Sequence, residues 1–214
     1  MFAEAYDLLM SDVDYDMIYQ WMKPYLKPQD LVIDAGCGSG YFLVELLKNN
    51  HQAIGIDLDT YMLSRAQKKL QDHHLSTSLY EHDLRKSYHM KADIIVMLFD
   101  VINYFKGTQA VFKHAYQALH QGGKLILDLY QEDVMRTYDQ YEESDNEPIN
   151  YHWKINVKNH IIKHELTIDG EKKNIIQYIY PLQHYMDELE HIGFKVKMDK
   201  GPDIRKHYLI AYKK

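Results

Sequence analysis

Hydrophobic positions along the chain follow two different periods, and their alternation predicts strands joined by helices. Short unbroken apolar runs are typical of buried parallel strands, whereas apolar residues three and four apart indicate helices packed on a sheet. Strand-like runs occupy residues 31–34, 53–58, 78–84, 92–100 and 124–129. Helical spacing occupies residues 41–48, 60–73 and 108–119, and we expect Gly122 and Gly123 to end the last of these helices. The pattern predicts an α/β fold whose sheet is mostly parallel, with helices on both faces.

Both ends of the chain add elements to this alternation. Apolar residues at helical spacing predict two N-terminal helices, over residues 2–10 and 15–26. Residues 1–28 then form either a helical lid over a ligand or a helical pair packed on the domain edge, and periodicity does not choose between the two. At the other end, the pattern predicts a helix over residues 181–192 and two closing strands over 194–198 and 207–212.

The segment 131–180 departs from the strand–helix alternation. Acidic residues are frequent over 132–147, and three stretches of alternating apolar and polar residues follow at 151–157, 162–168 and 175–180. Asp169-Gly170 is a strong hairpin signal. We predict an antiparallel β insertion after the fifth strand, which roofs a substrate pocket, covers a sheet edge or forms a homodimer contact. Its lysines form a basic patch, which leaves an acidic methyl acceptor such as RNA as an alternative: Lys154, Lys158, Lys163, Lys172 and Lys173.

Composition narrows the class of protein. The 214 residues, of which 46% are hydrophobic and 26% charged, fit one globular domain spanning residues 1–214. No apolar run approaches the roughly 18 residues of a membrane-spanning helix, and the N-terminus lacks the features of a signal peptide. The single cysteine fits a reducing cytoplasm, and the net charge of −6 disfavours nonspecific nucleic-acid binding. The 13 histidines complete no recognised ligand spacing, so we expect no functional metal.

The residues with chemical potential concentrate at the end of the first strand, in Asp34-x-Gly36-x-Gly38-x-Gly40. Glycines between a strand and a helix let the backbone turn sharply and approach a nucleotide-like ligand. The dinucleotide fingerprint requires its third glycine at the sixth position, which counted from Gly36 is Tyr41. The spacing therefore disfavours a nicotinamide oxidoreductase. A carboxylate just before the loop would repel a pyrophosphate but suits a cationic amino acid group.

This motif resembles motif I of the class I S-adenosylmethionine-dependent methyltransferases. In that family the loop holds the methionine part of the cofactor, with the acidic residue near its amino group. Gly55-x-Asp57-Leu58-Asp59 followed by Met62 is similar to the family's next motif, in which a carboxylate binds the ribose hydroxyls. Asp57, at the strand tip, is the expected ribose ligand. Asp59 is expected to cap the next helix, although the two acids compete for the ribose role.

The resemblance extends from Asp34 to the C-terminus, weakest through the insertion, and implies a Rossmann-like sheet of seven strands. It implies S-adenosylmethionine as the cofactor and S-adenosylhomocysteine as its product. It assigns Asp83 to the adenine amino group, Leu58 and Leu84 to the flanks of the adenine ring, and Tyr6 to the closing lid. The cofactor-binding residues that it implies are Tyr6, Asp34, Gly36, Gly38, Gly40, Asp57, Leu58, Met62, Asp83, Leu84 and Phe99.

The end of the fourth strand supplies the candidates on the acceptor side. Leu98-Phe99-Asp100-Val101-Ile102-Asn103-Tyr104 is similar to a segment of small-molecule and uncharacterised bacterial methyltransferases. The resemblance implies that Asp100, Asn103 and Tyr104 bind the substrate, with Asp100 and Tyr104 as the catalytic candidates. The competing interpretation is that Asn103 caps a turn and Tyr104 packs against the protein.

The sequence thus predicts a cytoplasmic bacterial enzyme that moves a methyl group to a nitrogen or oxygen of an unidentified small molecule. Two alternatives remain from other functional classes. One is a protein that binds S-adenosylmethionine or S-adenosylhomocysteine as a regulator or scaffold, without transferase activity. The other is an RNA-directed methyltransferase, since the net charge disfavours nucleic acid without excluding it.

Overall fold

Two β-sheets organise the protein in a computed structural model that describes residues 7, 10, 13–147 and 149–214. The main sheet has seven strands and the second sheet has four. In chain order the strands are β1 (Leu31–Ala35), β2 (Gln52–Asp57), β3 (Leu79–Glu81), β4 (Ala92–Met97), β5 (Leu119–Tyr130), β6 (Glu142–Asp145), β7 (Tyr151–Lys158), β8 (Ile161–Ile168), β9 (Glu171–Tyr178), β10 (Phe194–Asp199) and β11 (Lys206–Lys213). The helix predicted over residues 2–10, with Tyr6, lies mostly outside the described residues.

The main sheet confirms the predicted topology. Its strand order is β10-β11-β5-β4-β1-β2-β3. The five strands from β3 to β5 pair in parallel, whereas β11 runs antiparallel to β5 and β10 antiparallel to β11. Because the chain reverses its direction of sheet growth beside β1, the carboxyl ends of β1 and β4 border a crevice where ligands of such sheets bind.

Helices cover both faces of the main sheet. In chain order the helices are α1 (Tyr15–Met22), α2 (Tyr41–Lys48), α3 (Thr60–Asp72), α4 (Gln109–Ala118), α5 (Val134–Tyr138) and α6 (Leu182–Ile192), of which α5 packs against β7 of the second sheet. Successive strand residues point to opposite faces, so Val32 packs into the core under α1 and α2, and Ile33 packs into the core under α4 and α6. Both residues are fully buried, which explains why the central strands read as unbroken apolar runs. None of the helices in the described part of the chain is long and apolar enough to cross a membrane.

The structure corrects three predicted boundaries. β3 is shorter than predicted and ends at Glu81, and β4 ends at Met97 because the two residues after Leu98, Phe99 and Asp100, adopt left-handed backbone angles of 62° and 55° in φ. Gly122 and Gly123 do not end a helix but lie inside β5. Gly122 has a φ of 78°, at the point where the register between β4 and β5 shifts, so the glycines belong to a strand irregularity.

The antiparallel insertion after β5 is confirmed, with one strand more than predicted. Strands β6 to β9 form a four-stranded antiparallel sheet in sequential order. β6 has the sequence Glu-Glu-Ser-Asp, which carries no apolar alternation and gave no strand signal. Two of the lysines in the predicted basic patch are paired with acids, Lys154 with Glu142 at 4.0 Å and Lys163 with Glu165 at 2.5 Å.

Asn103 lies in the turn after β4 and joins the two sheets. Its side chain is fully buried. The amide nitrogen donates to the Tyr178 carbonyl at 2.9 Å and to the Tyr185 hydroxyl at 3.3 Å, and the amide oxygen accepts the Tyr130 backbone N–H at 3.1 Å. The expectation that Asn103 binds the substrate is therefore corrected, because its hydrogen-bonding groups are committed to the protein and none reaches solvent.

We predict that Asn103→Ala destabilises the protein by about 1–3 kcal/mol, because it removes the acceptor of the Tyr130 backbone N–H and one of the two donors to the Tyr178 carbonyl. Denaturant unfolding followed by circular dichroism measures this loss. Asn174→Ala, on the exposed edge strand β9, is the control and should change the free energy of unfolding by about 0.5 kcal/mol or less. Equal small losses in both variants would contradict the structural role of Asn103.

Candidate functional site

A cleft of about 780 Å³ lies at the carboxyl ends of the parallel strands and is called the first cleft below. It lies where parallel sheets bind nucleotide-like ligands. The structure brings together nine of the predicted cofactor residues along its walls: Asp34, Gly36, Gly38, Asp57, Leu58, Met62, Asp83, Leu84 and Phe99. Gly40 does not line the first cleft but precedes α2 as its N-cap residue. Tyr6 lies outside the described residues.

The glycine loop is shaped by positive φ angles and close packing. Gly36 has a φ of 82°, and a Cβ there would lie 2.7 Å from a methyl group of Val101. Gly38 has a φ of 53°, but a Cβ there would have no atom within 4 Å. Gly36 is thus required by the protein's own packing, whereas Gly38 leaves space open beside the first cleft, as expected where a backbone must approach a ligand.

The two competing acids after β2 have separate roles. Asp57 accepts the Gly38 N–H at 2.8 Å with one carboxylate oxygen and the Asp59 N–H at 2.9 Å with the other. Asp59 caps α3, accepting the N–H groups of Tyr61 at 2.9 Å and Met62 at 3.3 Å. Burial raises the pKa of Asp57. Asp57 therefore fixes the glycine loop, and each of its oxygens keeps one lone pair for a further donor.

Asp34 carries the least satisfied carboxylate of the cleft. The side chain is only 4% exposed, and its Oδ2 atom has no hydrogen-bond partner among the described residues. Burial, with the charge of Asp57 as a second cause, raises the pKa of Asp34 to about 7. A cationic group of a ligand would supply both the missing partner and the missing charge. The unpartnered, buried carboxylate of Asp34 is therefore the feature of the first cleft that fits the amino group of an amino acid moiety.

Asp83 reaches the cleft already paired, which sequence reasoning missed. Arg85 donates from Nε to one carboxylate oxygen at 2.9 Å and from a terminal nitrogen to the other at 2.8 Å. These hydrogen bonds hold the pKa of Asp83 at about 2, so the carboxylate is ionised. The spacing Asp-x-Arg in the turn after β3 was the available signal.

The described part of the N-terminal segment lies over the first cleft. The Tyr15 ring stacks on the Tyr41 ring, with 4.8 Å between their centroids, and Tyr15 borders the cleft. Asp7 is held by Arg65 at 2.8 Å and Lys69 at 3.3 Å, both on α3. The Tyr41 hydroxyl also donates to the Asp7 carbonyl. Residues 7 and 15 are thus fastened to the helices that flank the glycine loop, as a lid requires.

A second cleft, of about 640 Å³, adjoins the first and lies beneath the insertion. The clefts share four lining residues: Met10, Phe99, Tyr104 and Ile175. Tyr104 is 45% exposed and borders both clefts. Because β9 supplies residues to both clefts, the insertion forms part of the wall of each.

A buried ion-pair network forms the floor of the second cleft. Lys206 on β11 lies 2.9 Å from Asp100 and 3.2 Å from Asp128. Asp128 also accepts the backbone N–H groups of Phe99 and Asp100, at 2.9 and 2.5 Å. Burial alone would lower the pKa of Lys206, but the two carboxylates outweigh it and raise the pKa. Sequence reasoning identified Asp100 here but missed Lys206, which is more than a hundred residues away in the chain.

A chain of side-chain hydrogen bonds links this floor to the insertion. The Trp153 indole N–H donates to Nδ1 of His164 at 3.2 Å, and Nε2 of His164 lies 2.9 Å from the Gln177 side-chain oxygen. The Gln177 amide then donates to Oδ2 of Asp100. Burial lowers the pKa of His164. Neutral His164 therefore carries its proton on Nε2, because Nδ1 is an acceptor.

Comparison with known proteins agrees with this geometry. A family model described as a methyltransferase domain matches residues 32–123. The relative "Putative methyltransferase YqeM" of Bacillus subtilis is 26% identical over 212 residues, which cover 91% of this chain and 85% of the relative.

Two solved structures share the fold over nearly the whole chain. An S-adenosylmethionine-dependent methyltransferase from Clostridium acetobutylicum has a TM-score of 0.85 at 20% identity, covering 99% of this chain and 97% of its own. The sugar N-methyltransferase KedS8 from Streptoalloteichus has a TM-score of 0.83 at 18% identity, covering 97% of this chain and 92% of its own.

We predict that Asp34→Asn stabilises the ligand-free protein at pH 8 and not near pH 4. The folded-state pKa of about 7 exceeds the ordinary value of 3.8, so the unfolded state releases its proton first and the wild type loses stability as pH rises between them. Asparagine does not ionise, and the gain at pH 8 should reach a few kcal/mol. Urea unfolding at both pH values measures it, and a gain that does not depend on pH would contradict the assignment.

The two glycines should differ when each is replaced by alanine. Gly36→Ala should destabilise the fold by about 2–6 kcal/mol, because it adds a clash with Val101 to backbone strain. Gly38→Ala should cost only about 1–2 kcal/mol of strain. Thermal unfolding of the two variants at one pH makes the comparison, and similar losses would show that the open space at Gly38 has been misjudged.

Proposed function

We propose that this chain is a class I S-adenosylmethionine-dependent methyltransferase, and that it methylates a nitrogen or oxygen atom of a small molecule bound in the second cleft. The observation that carries the proposal is the junction of the two clefts at Phe99 and Tyr104. A donor in the first cleft and an acceptor in the second would meet where the two clefts join. The acceptor itself is not identified.

The first cleft offers a group for each part of the donor. We propose that Asp34 binds the amino group of the methionine part, since its unpartnered oxygen and raised pKa call for a cation. Asp57 has lone pairs left for the ribose hydroxyls after holding Gly38. Asp83 borders the cleft as an ionised carboxylate beside the site proposed for the adenine amino group, although Arg85 already donates to both of its oxygens, and Leu58 and Leu84 offer apolar flanks for the ring.

Catalysis then depends mainly on position. The bound donor supplies a sulfonium methyl group that is already activated for in-line displacement. The protein's part is to hold the acceptor atom in near-attack geometry and to exclude competing water. Tyr104 borders both clefts and is the candidate for orienting the reacting atom, and Asp100, next to Phe99 at the same junction, is placed to bind the group that carries that atom.

A small acceptor is favoured over RNA by the placement of charge. The floor of the second cleft carries two carboxylates and one ammonium group, which would repel a phosphate backbone. Similarity to a sugar N-methyltransferase supports nitrogen as the first acceptor atom to test. A homodimer formed through the insertion is a separate proposal, which light scattering of the purified protein would test.

We predict that Asp57→Asn weakens binding of S-adenosylhomocysteine by about 10- to 100-fold, because it removes the charge from two hydrogen bonds to the ribose. Titration calorimetry measures the affinity. Asp59→Asn is the matched control, since asparagine caps a helix as well as aspartate does, and its affinity should stay within about threefold of wild type. Equal losses in both variants would contradict the division of roles between the two acids.

Transfer itself is tested with methyl-labelled donor and fractions of a bacterial cell extract. We expect label in a small-molecule fraction, no change after ribonuclease treatment, and no transfer by Asp57→Asn. Label in RNA would favour the RNA-directed alternative. Tight binding of the donor without transfer to any fraction would favour the regulatory or scaffold alternative.

A further inference from the structure

We infer that the acceptor is a small cationic amine whose ammonium group binds against Asp100, and that phosphorylated acceptors are rejected. The inference rests on the proposed function and specifies its substrate class. It is argued from the charge of the second cleft, the polarity of the hydrogen bonds at its floor, and its aromatic walls.

The charge of the second cleft is negative. Its described lining contains four carboxylates and two cationic side chains: Asp14, Asp100, Asp128, Asp203, Arg205 and Lys206. Arg205 is already paired with Asp203 at 2.8 Å, and Lys206 is shared between Asp100 and Asp128. His164 adds no positive charge, because its Nδ1 atom accepts the Trp153 N–H and therefore carries no proton. A cleft with excess carboxylate attracts cations and repels anions, the more so where walls of low polarity exclude water.

The floor presents hydrogen-bond acceptors to the cleft. Asp100 receives Lys206 on one oxygen and Gln177 on the other, so each oxygen keeps one lone pair. Its side chain is 13% exposed and borders the cleft. The protein thus donates hydrogen bonds to Asp100 from Lys206 and Gln177 and leaves lone pairs of this carboxylate available to a ligand in the cleft. A ligand that binds here has to bring hydrogen-bond donors, and an ammonium group brings three.

The chain from the insertion fixes this polarity. Because Trp153 donates to Nδ1 of His164, the imidazole proton is on Nε2 and points to the Gln177 oxygen. The Gln177 amide nitrogen is therefore the atom that faces Asp100. Gln177 and His164 act as positioning residues, since their polar side-chain atoms are engaged in the hydrogen bonds that keep Asp100 an acceptor.

The walls of the cleft suit a cation. Five aromatic side chains border it: Phe99, Tyr104, Tyr130, Trp153 and Tyr208. The ammonium nitrogen of Lys206 lies 5.2 Å from the Tyr130 ring centre and 5.7 Å from that of Phe99, within the range of cation–π attraction. The site therefore already holds one ammonium group between carboxylates and rings, next to the position inferred for the acceptor.

The reaction balances with this acceptor. The bound ammonium releases one proton to water through the open mouth of the cleft. The nitrogen lone pair then forms the new N–C bond, the S–C bond breaks, and its electron pair stays on sulfur. The products are a methylated ammonium and a neutral thioether.

The test compares matched probes on one protein. Trp153 borders the second cleft and Trp21 is the only other tryptophan of the chain, so Trp21→Phe makes fluorescence a reporter of the cleft. With S-adenosylhomocysteine bound, the protein is titrated with cyclohexylmethylamine, cyclohexylmethanol and cyclohexylmethyl phosphate. A second series uses glucosamine, glucose and glucosamine 6-phosphate. The amines should bind at least about tenfold tighter than the other members of their series.

Asp100→Asn should remove this preference by about tenfold or more. Asp14→Asn removes the same charge at the mouth of the cleft while keeping its helix cap, and should leave the preference within about threefold. The comparison of probes on the Trp21→Phe protein stands even if Asp100→Asn fails to fold.

The inference would be overturned by equal or tighter binding of the alcohols or phosphates, or by amines that bind in neither series. The proposed function is judged separately, by transfer of label from the donor to extract fractions. Label found on a hydroxyl group would leave the methyltransferase standing and eliminate the cationic acceptor.

Discussion

One buried ammonium group stabilises the turn and the two carboxylates on which the second cleft is built. Lys206 on β11 lies between Asp100 and Asp128, and Asp128 in turn accepts the backbone N–H groups of Phe99 and Asp100. The turn after β4 has left-handed angles at both of these residues. Such a conformation costs energy in residues other than glycine, and the network offsets that cost. Removing the ammonium would leave two carboxylates facing each other in a buried place, which is strongly unfavourable.

The turn held in this way forms the boundary between the two clefts. Phe99 borders both clefts, and Asp100 borders only the second. The first cleft shows the opposite situation: Asp34 is buried, has no partner for one oxygen among the described residues, and has a pKa raised to about 7. The carboxylates of the second cleft are therefore satisfied within the protein, whereas Asp34 is left for a cationic ligand to satisfy. If the proposed donor binds there, tight binding and a lower stability of the ligand-free protein would both follow from this carboxylate.

The sequence predicted what depends on local pattern. The parallel strands, the glycine loop and the division between Asp57 and Asp59 follow from apolar runs, from backbone freedom at glycine and from helix capping, which all act within a few residues. The role of Asn103 could not be predicted in this way, because its partners Tyr130, Tyr178 and Tyr185 come from three distant elements. The same holds for Lys206, which becomes visible only once β11 pairs with β5.

Other departures have a different physical cause. β6 forms because β7 offers it backbone hydrogen bonds, although its own side chains are polar. The glycine pair at residues 122 and 123 resembles a helix end in sequence. In the structure it lies in β5, which pairs with β4 through a shift of register. In both cases tertiary pairing overrides local preference. Local signals were sufficient for residues at the end of a single strand, and insufficient where distant elements are joined.

The insertion contributes most where it is least visible in sequence. Its lysines suggested an acidic partner, and one of them, Lys173, borders the first cleft. The side chains that reach the second cleft from the insertion are Trp153, His164, Leu166, Ile175 and Gln177. Among these, His164 is hydrogen-bonded to the side-chain oxygen of Gln177, and the Gln177 amide nitrogen donates to Asp100. A roof that only covered the cleft would need apolar side chains alone. A roof that is hydrogen-bonded to Asp100 would also determine which chemical group that carboxylate can bind. A different class of methyl acceptor would then require changes in the insertion together with the turn after β4.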